Sequence, residues 1–249
     1  MTTDEPGYSS YATDAAHMER YRDYQARYAS RMRESDRTLI EWIRDSLSSD
    51  GGDLLDVGCS TGNLLIHLRH QLPGLRLSGI VLSAETIAAN AENPALADMR
   101  FSTADIVSEP LDGTFDVITC NAIFFSLDDD ELRAALTNLR QALNPGGLLF
   151  AFDWFHAHDD QQLTIVERSR EFPDGLRITA RPENQARALT DTTGFGSVEF
   201  RPFSMPFDLE RPSDPGDVTT YTVAAVDSPR LSFRGALFQP WSHMRAQAA

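Results

Sequence analysis

The chain has 249 residues, 41% of them hydrophobic, which is enough for a sizeable core, and α/β units of this length commonly form one domain. Its 37 acidic and 22 basic side chains leave a formal net charge of −15, so the average surface repels phosphate backbones and anionic membranes, and nucleic acid is not the expected partner. Neither MTTDEPGYSS at the start nor any later stretch offers the roughly 20 apolar residues of a membrane span. The two cysteines, Cys59 and Cys120, are too few for a disulfide framework and read as reduced thiols of a cytoplasmic protein.

Residues 1 to 12 are expected to fray. From about Ala15 to Ser48 the pattern predicts one or two helices, with Leu39, Ile40, Ile43 and Leu47 on one face and an arginine- and tyrosine-rich earlier part. Short apolar runs then alternate with helical patterns. LLDV (54 to 57) precedes a helix starting near Thr61, RLSGIVL (76 to 82) precedes SAETIAANAEN, and MRFSTAD (99 to 105) and FDVITCN (115 to 121) follow. Next comes a helix from about Asp128 to Leu143, whose Leu132, Leu136, Leu139 and Leu143 form one apolar stripe, and then GLLFAFDW (147 to 154). The acidic run from Asp128 to Glu131 suits a helix start, where side-chain carboxylates meet unpaired backbone N–H groups. Beyond it, residues 157 to 171 are expected to be helical, EFPDG (171 to 175) a turn, and Pro182 the first turn of a helix reaching about Thr192. GFGSVEFRPF (194 to 203) reads as a strand, residues 219 to 235 as a hairpin turning near Asp227, and residues 236 to 247 as a last edge strand.

Five strands alternating with helices predict a doubly wound, mainly parallel α/β sheet, whose ligands bind beyond the carboxyl ends of the strands. LLDVGCSTG (54 to 62) therefore draws attention: Gly58 and Gly62 permit left-handed backbone and close approach, and a helix begins just after them. The dinucleotide pattern GxGxxG fits poorly, because Ser60 and Asn63 occupy its other glycine positions and no acid ends the second strand. No GK[ST] follows either, which leaves a nucleoside-type site with little demand for phosphate.

These blocks resemble the class I S-adenosylmethionine-dependent methyltransferases over about Leu54 to Trp154, five blocks in the family's order. The resemblance implies a seven-stranded Rossmann-like sheet, S-adenosylmethionine as cofactor, and methyl transfer to a small-molecule acceptor. It places the amino acid end of the cofactor at Asp56, Gly58, Cys59, Ser60 and Gly62, the ribose edge at Val81 and Leu82, the adenine at Asp105 and Ile106, and the methyl-transfer region at Asn121. Ser60 replaces the family's central glycine. Val81 stands where an acid normally grips the ribose hydroxyls, a loss of charge-assisted hydrogen bonds gross-valued at about 1.5–3 kcal/mol each. Either Glu85 or Ser83 compensates, or cofactor binding is weakened or altered.

His156, after the fifth strand, is the first choice for a general base, since imidazole titrates near neutral pH; the alternative is a solvated loop histidine. No metal is expected, because His156, His158, Asp153 and Asp159 lack firm ligand spacing. Trp154 stacks on an acceptor or fills the sheet edge. Tyr21, Tyr24, Tyr28 and Arg31 are spaced to share a helix face, either as part of a lid over about residues 14 to 48 or as ordinary packing. FRPFSMPFD (200 to 208), with Phe233, Phe238 and Trp241, reads as an acceptor-pocket wall, a homodimer interface or a secondary core. The domain organisation expected is one unit over residues 1–249 with a hairpin inserted at about 205–235. Two other functions stay open: a non-methylating reaction with S-adenosylmethionine or a modified form of it, and a non-catalytic cofactor-binding subunit.

Overall fold

The computed structural model describes residues 7–9, 15–49, 51–226 and 228–249. Most of the expected frayed start, the first residue of the expected lid and Asp227 of the expected hairpin turn lie outside the described residues. Two helices, α1 (Ala15–Ala26) and α2 (Glu34–Ser46), precede β1 (Gly52–Val57), α3 (Asn63–Gln71), β2 (Leu75–Val81), α4 (Ala84–Glu92), β3 (Arg100–Thr103) and β4 (Phe115–Asn121). Then follow α5 (Asp129–Gln141), β5 (Leu143–His156), β6 (Leu163–Glu167), β7 (Leu176–Pro182), α6 (Glu183–Thr192) and β8 (Phe195–Pro202). The remaining strands are β9 (Thr220–Ala225), β10 (Ser228–Arg234), β11 (Leu237–Phe238) and β12 (Trp241–Ala248).

Seven strands run in the order β3-β2-β1-β4-β5-β12-β8, with β7 and then β6 branching from the end of β5. The first five pair in parallel, whereas β12 is antiparallel to both neighbours. This is the doubly wound, mainly parallel α/β sheet expected. Alternation along the strands sorts the core into two layers. Leu54, Val117 and Phe150 pack with Leu39, Ile40, Trp42 and Ile43 of α2 and with Leu64, Leu65 and Leu68 of α3. Leu55, Val57, Ile118, Cys120, Leu149 and Ala151 face the other way, against Leu132, Leu136 and Leu139 of α5 and Leu189 of α6. Each such aliphatic side chain contributes about 1.5–3 kcal/mol on full burial, so the leucine stripe of α5 fixes that helix to the sheet.

The amino end of α5 is closed by a reciprocal pair. Asp128 accepts from Glu131 N at 2.8 Å while Glu131 accepts from Asp128 N at 2.7 Å. Strand β9 pairs with β10 and β10 with β11, forming a separate three-stranded sheet where the hairpin was expected. No helix follows β3 among the described residues, and a groove lined by Leu55, Leu77, Gly79, Phe101 and Ala104 runs there along the sheet. Asp53, Arg76 and Arg100 also line it, so it lies toward the amino ends of the strands, away from the ligand side of such folds.

Two expectations are overturned. Residues 157 to 171 contain strand β6, not a helix, because Leu163-Thr164-Ile165-Val166 is a β-branched run that finds an antiparallel partner in β7. Strand β12 is not at an edge; it lies between β5 and β8, and β8 is the edge. No helix among the described residues is long and apolar enough to cross a membrane, and both cysteines are free and buried.

Two predictions follow from this packing. A Cβ added at Gly79 would stand 2.7 Å from Cys59 Sγ and 2.9 Å from its Cβ. Gly79→Ala should therefore cost about 1–3 kcal/mol in urea unfolding through overpacking. His243, fully buried in β12, has its pKa lowered to about 4, first by burial and then by Arg201. The unfolded chain thus binds the extra proton between about pH 6.5 and 4, and stability from this group is lost as pH falls through that window. Asp56 and Asp153, with raised pKa values, act in the opposite sense, so the difference between wild type and His243→Gln is the quantity to measure. That difference should shrink by roughly 2–4 kcal/mol on going from pH 7 to pH 4.

Candidate functional site

Strand β1 leaves the sheet through a turn with three residues of left-handed backbone, Gly58 (φ 69°), Ser60 (φ 47°) and Gly62 (φ 74°). Ser60, with a Cβ, holds this conformation at a cost of about 1–2 kcal/mol, offset by neighbouring contacts. Asn90 Nδ2 donates to Ser60 O at 2.7 Å, and Cys59 N donates to Ile80 O at 3.0 Å, tying the turn to α4 and β2. Gly62 is the residue before α3, so the helix begins at Asn63 rather than near Thr61. At Gly58 a Cβ would fall 2.3 Å from Ile123 Cδ1, which shows how closely the post-β4 segment approaches this turn. Thr61 Oγ1 is buried there without a protein partner. Cys59 packs against Gly79, and burial pushes its thiol up, which keeps it protonated and unreactive.

Asp56 is buried one residue before the end of β1. Its Oδ1 accepts from Thr119 Oγ1 at 2.8 Å, and burial raises its pKa to about 7 despite that bond. Val57 pairs with Cys120, which brings Asn121 level with Gly58 across the β1–β4 boundary. Alternation puts Asp56, Thr119 and Asn121 on one face of the sheet. Asn121 Oδ1 is a second buried oxygen without a partner. These orphaned atoms, beside a turn too tight for side chains, are the groups a polar ligand can satisfy.

The carboxylate of Asp105, just after β3, already has three protein donors. Oδ1 accepts from Val107 N (3.0 Å), and Oδ2 accepts from Ser108 Oγ (2.9 Å) and from Tyr8 Oη (2.7 Å). Burial, followed by this bond, raises the Tyr8 phenol above its ordinary pKa. Ile106 is buried in the core against α5. Nothing in the sequence singled out Tyr8, because its bond to Asp105 joins residues 97 positions apart and leaves no local pattern. At the end of β2, Val81 is half-buried and Leu82 exposed; Ser83 Oγ caps α4 by accepting from Thr86 N, and Glu85 pairs with Arg22 of α1 at 2.8 Å.

The tyrosine face expected on one long helix is broken, since α1 stops at Ala26 and leaves Tyr28 and Arg31 beyond it. Tyr21 still stacks on Tyr24 and Tyr24 meets Tyr28 edge to face, but Arg33 rather than Arg31 lies over Tyr24 and Tyr28; Arg31 is exposed. The segment is seated on α3: Asn63 Nδ2 donates to Gln25 O at 2.8 Å, Arg33 donates to Gln25 Oε1 at 2.7 Å, and His67 Nε2 donates to Tyr28 O at 3.3 Å.

On the other side of Asn121, the segment 122–128 is held from two directions. Asp153 accepts from Ile123 N (2.9 Å) and Phe124 N (2.7 Å), while Arg181 of β7 donates to Phe124 O, Leu127 O and Asp129, and Arg177 donates to Ser126 O. Sequence reasoning missed both arginines, since a charged residue in a fully buried strand breaks the apolar pattern. Trp154 is buried between Phe125 and Trp241, and Phe152 stacks on Trp241 with ring centroids 4.6 Å apart. Phe152, Trp154 and His156 share the face that carries Asn121. Burial and then His158 lower the His156 pKa; its Nδ1 accepts from His158 N at 3.3 Å, and its Nε2 is buried without a hydrogen-bond partner among the described residues. No group of three His, Cys, Asp or Glu suited to a metal occurs among the described residues.

Residues 55–149 match the family described as methyltransferase domain. A malonyl-[acyl-carrier protein] O-methyltransferase of Acetivibrio thermocellus is 26% identical over 72% of this chain and 64% of its own length. The chain spans between 40% and 64% of the length of the first three curated relatives it matches. Among solved structures, DhpI in complex with SAH superposes with a TM-score of 0.59 at 16% identity, over 94% of both chains. The [4+2]-cyclase SpnF superposes with a TM-score of 0.52 at 26% identity, over 68% of this chain and 60% of its own. The glycine turn, the strand order and these matches together show the fold of the class I S-adenosylmethionine-dependent methyltransferases, with the match to a methyltransferase domain running over residues 55–149.

Proposed function

We propose that the protein is an enzyme that transfers a methyl group from S-adenosylmethionine to a small-molecule acceptor. The observation that carries this reading is the left-handed turn at Gly58, Ser60 and Gly62, opposite Asn121, with Thr61 Oγ1 and Asn121 Oδ1 left without partners. S-adenosylmethionine supplies an electrophilic methyl group that passes to a nucleophile as its S–C bond breaks, leaving S-adenosylhomocysteine.

In this reading the turn amides with Asp56 hold the aminoacyl end, directly or through water, and Asp105 with Ile106 holds the adenine. Tyr8 is then a competitor for Asp105 and must shift when adenine binds. The segment 122–128 supplies the wall at the methyl group, with its position set by Asp153 and Arg181. Phe152, Trp154, Trp241 and Phe203 form an aromatic surface beside it, suited to an apolar acceptor. His156 is assigned the acceptor's proton; it can take one only after Nδ1 leaves His158 N or Nε2 yields its own proton. The segment of about residues 14 to 48 acts as a lid, and the three-stranded sheet near residues 205–235 is an insertion bordering the acceptor side. The two buried free thiols suit a reducing, cytoplasmic setting.

A non-methylating reaction is the second reading, favoured by one observation: the 26% identity to a [4+2]-cyclase on this fold. Stoichiometric release of S-adenosylhomocysteine with methylated product, measured over a panel of small aromatic and acyl acceptors, would support methyl transfer. Tight uptake of S-adenosylmethionine with no consumption across the panel would count against it.

Asp56 provides a pH test. Its carboxyl is neutral below about pH 7, whereas a cationic ligand favours the ionised form. Affinity for S-adenosylhomocysteine, whose ammonium is retained, should rise as pH increases toward 7 and then level off; Asp56→Asn should flatten the profile in calorimetry. His156→Ala should lower kcat by about 10²–10⁴-fold with cofactor affinity unchanged, the usual span for a lost general base. An unaltered kcat would remove the residue from the chemistry.

A further inference from the structure

Strand β2 ends at Val81, and neither Val81 nor the following Leu82 offers a carboxylate, while the oxygen of Ser83 is engaged by Thr86 N. Glu85, in the first turn of α4, is two-thirds exposed, and its Oε1 accepts from Arg22 Nη1, 63 residues away, at 2.8 Å. Arg22 belongs to α1, whose end is fastened to the amino end of α3 by the bond from Asn63 Nδ2 to Gln25 O. The Arg22–Glu85 pair therefore reaches from the start of α3 to the start of α4, across the gap between the loops that follow β1 and β2. The two sides of that gap are fixed relative to one another by Asn90 Nδ2 on Ser60 O and by Cys59 N on Ile80 O. Glu85 Oε2 makes no protein hydrogen bond among the described residues.

On the reading proposed above, a nucleoside stretched from the glycine turn to Asp105 must lay its ribose in this gap. A ribose offers two adjacent hydroxyl donors, and a carboxylate is the acceptor that can take both. We propose that Glu85, braced by Arg22 from the N-terminal helix, receives the ribose hydroxyls in place of the acid missing at Val81. The grip then comes from a helix and a lid rather than from the strand end, so cofactor selectivity and lid closure depend on the same pair of side chains. Arg22 is a positioning residue here: it holds Glu85 over the gap and offsets its charge in a chain of net charge −15.

The test is calorimetric titration of the full chain with S-adenosylhomocysteine and with its 2′,3′-dideoxyribose analogue. Wild type should bind the natural ligand more tightly than the analogue. Glu85→Gln should lose about tenfold in affinity for S-adenosylhomocysteine, near 1.4 kcal/mol, and leave analogue affinity unchanged. Adding Val81→Asp to Glu85→Gln should restore the preference for the ribose, and Arg22→Met should weaken S-adenosylhomocysteine in the same direction as Glu85→Gln. Equal affinity of wild type and Glu85→Gln for S-adenosylhomocysteine would overturn the assignment while leaving the cofactor reading standing. A wild-type chain that takes up neither ligand would overturn both.

Discussion

Asp153 is buried among backbone N–H groups and carries no full counter-ion of its own. It accepts from Ile123, Phe124 and its own neighbour Trp154, with Arg181 acting on it through space. Burial outweighs those favourable contacts and raises its pKa to about 6. The arrangement matters because residues 122–128 contain only one short turn of helix and cannot set their own shape. Their N–H groups are drawn to Asp153 and their carbonyls to Arg177 and Arg181, so backbone donors and acceptors are fixed by opposite charges from β5 and β7. Ile123 is held over Gly58 as a result. Removing Asp153 leaves the N–H groups of Ile123 and Phe124 without their acceptor, and removing Arg181 leaves the carbonyls of Phe124 and Leu127 without their donor, each a buried polar group that costs about 1–3 kcal/mol.

The two halves of the site are built by different physics. Around β1 the surface is largely backbone, and the side chains there are small or buried: Gly58, Cys59, Ser60 and Gly62 leave room, and Asp56 and Thr119 are buried. Beyond β5 the surface is aromatic, from Phe152, Trp154, Trp241 and Phe203. A cationic, polar nucleoside suits the first environment and an apolar acceptor the second, and Asn121 stands at the junction. The heavily acidic surface adds a general attraction for a cationic ligand, screened beyond roughly 10 Å at ordinary salt.

The central sheet could be read from sequence because its signals are local. LLDV followed by glycines, the leucine stripe of α5 and the acids at its start each depend on residues within a few positions of one another. The glycine turn, with its left-handed backbone at Gly58 and Gly62, was legible for the same reason. What escaped depended on partners far along the chain. Strand β7 is concealed by Arg177 and Arg181, whose burial makes sense only once the carbonyls of 124–127 are in place. Strand β6 offered no alternating pattern to read, because Leu163, Thr164 and Ile165 are all exposed and the strand is defined by its pairing with β7. Tyr8 and the Arg22–Glu85 pair are long-range contacts with no mark in local pattern. Tyr28 and Arg31 kept helical spacing on paper although the helix had already ended, a reminder that spacing describes a face only where backbone hydrogen bonds continue.

The interior place of β12 has a consequence for how the molecule is made. Residues 241–248 complete the outer side of β5, which ends at His156, and among the described residues they also provide the only sheet partner of β8. Until they arrive, β5 presents a long, apolar, unpaired edge bearing Phe150, Phe152 and Trp154, the kind of edge that invites pairing with another nascent chain. Closing the sheet is therefore a late, long-range event with a large loop-closure cost, and the aromatic surface beside the site forms only when that event is complete.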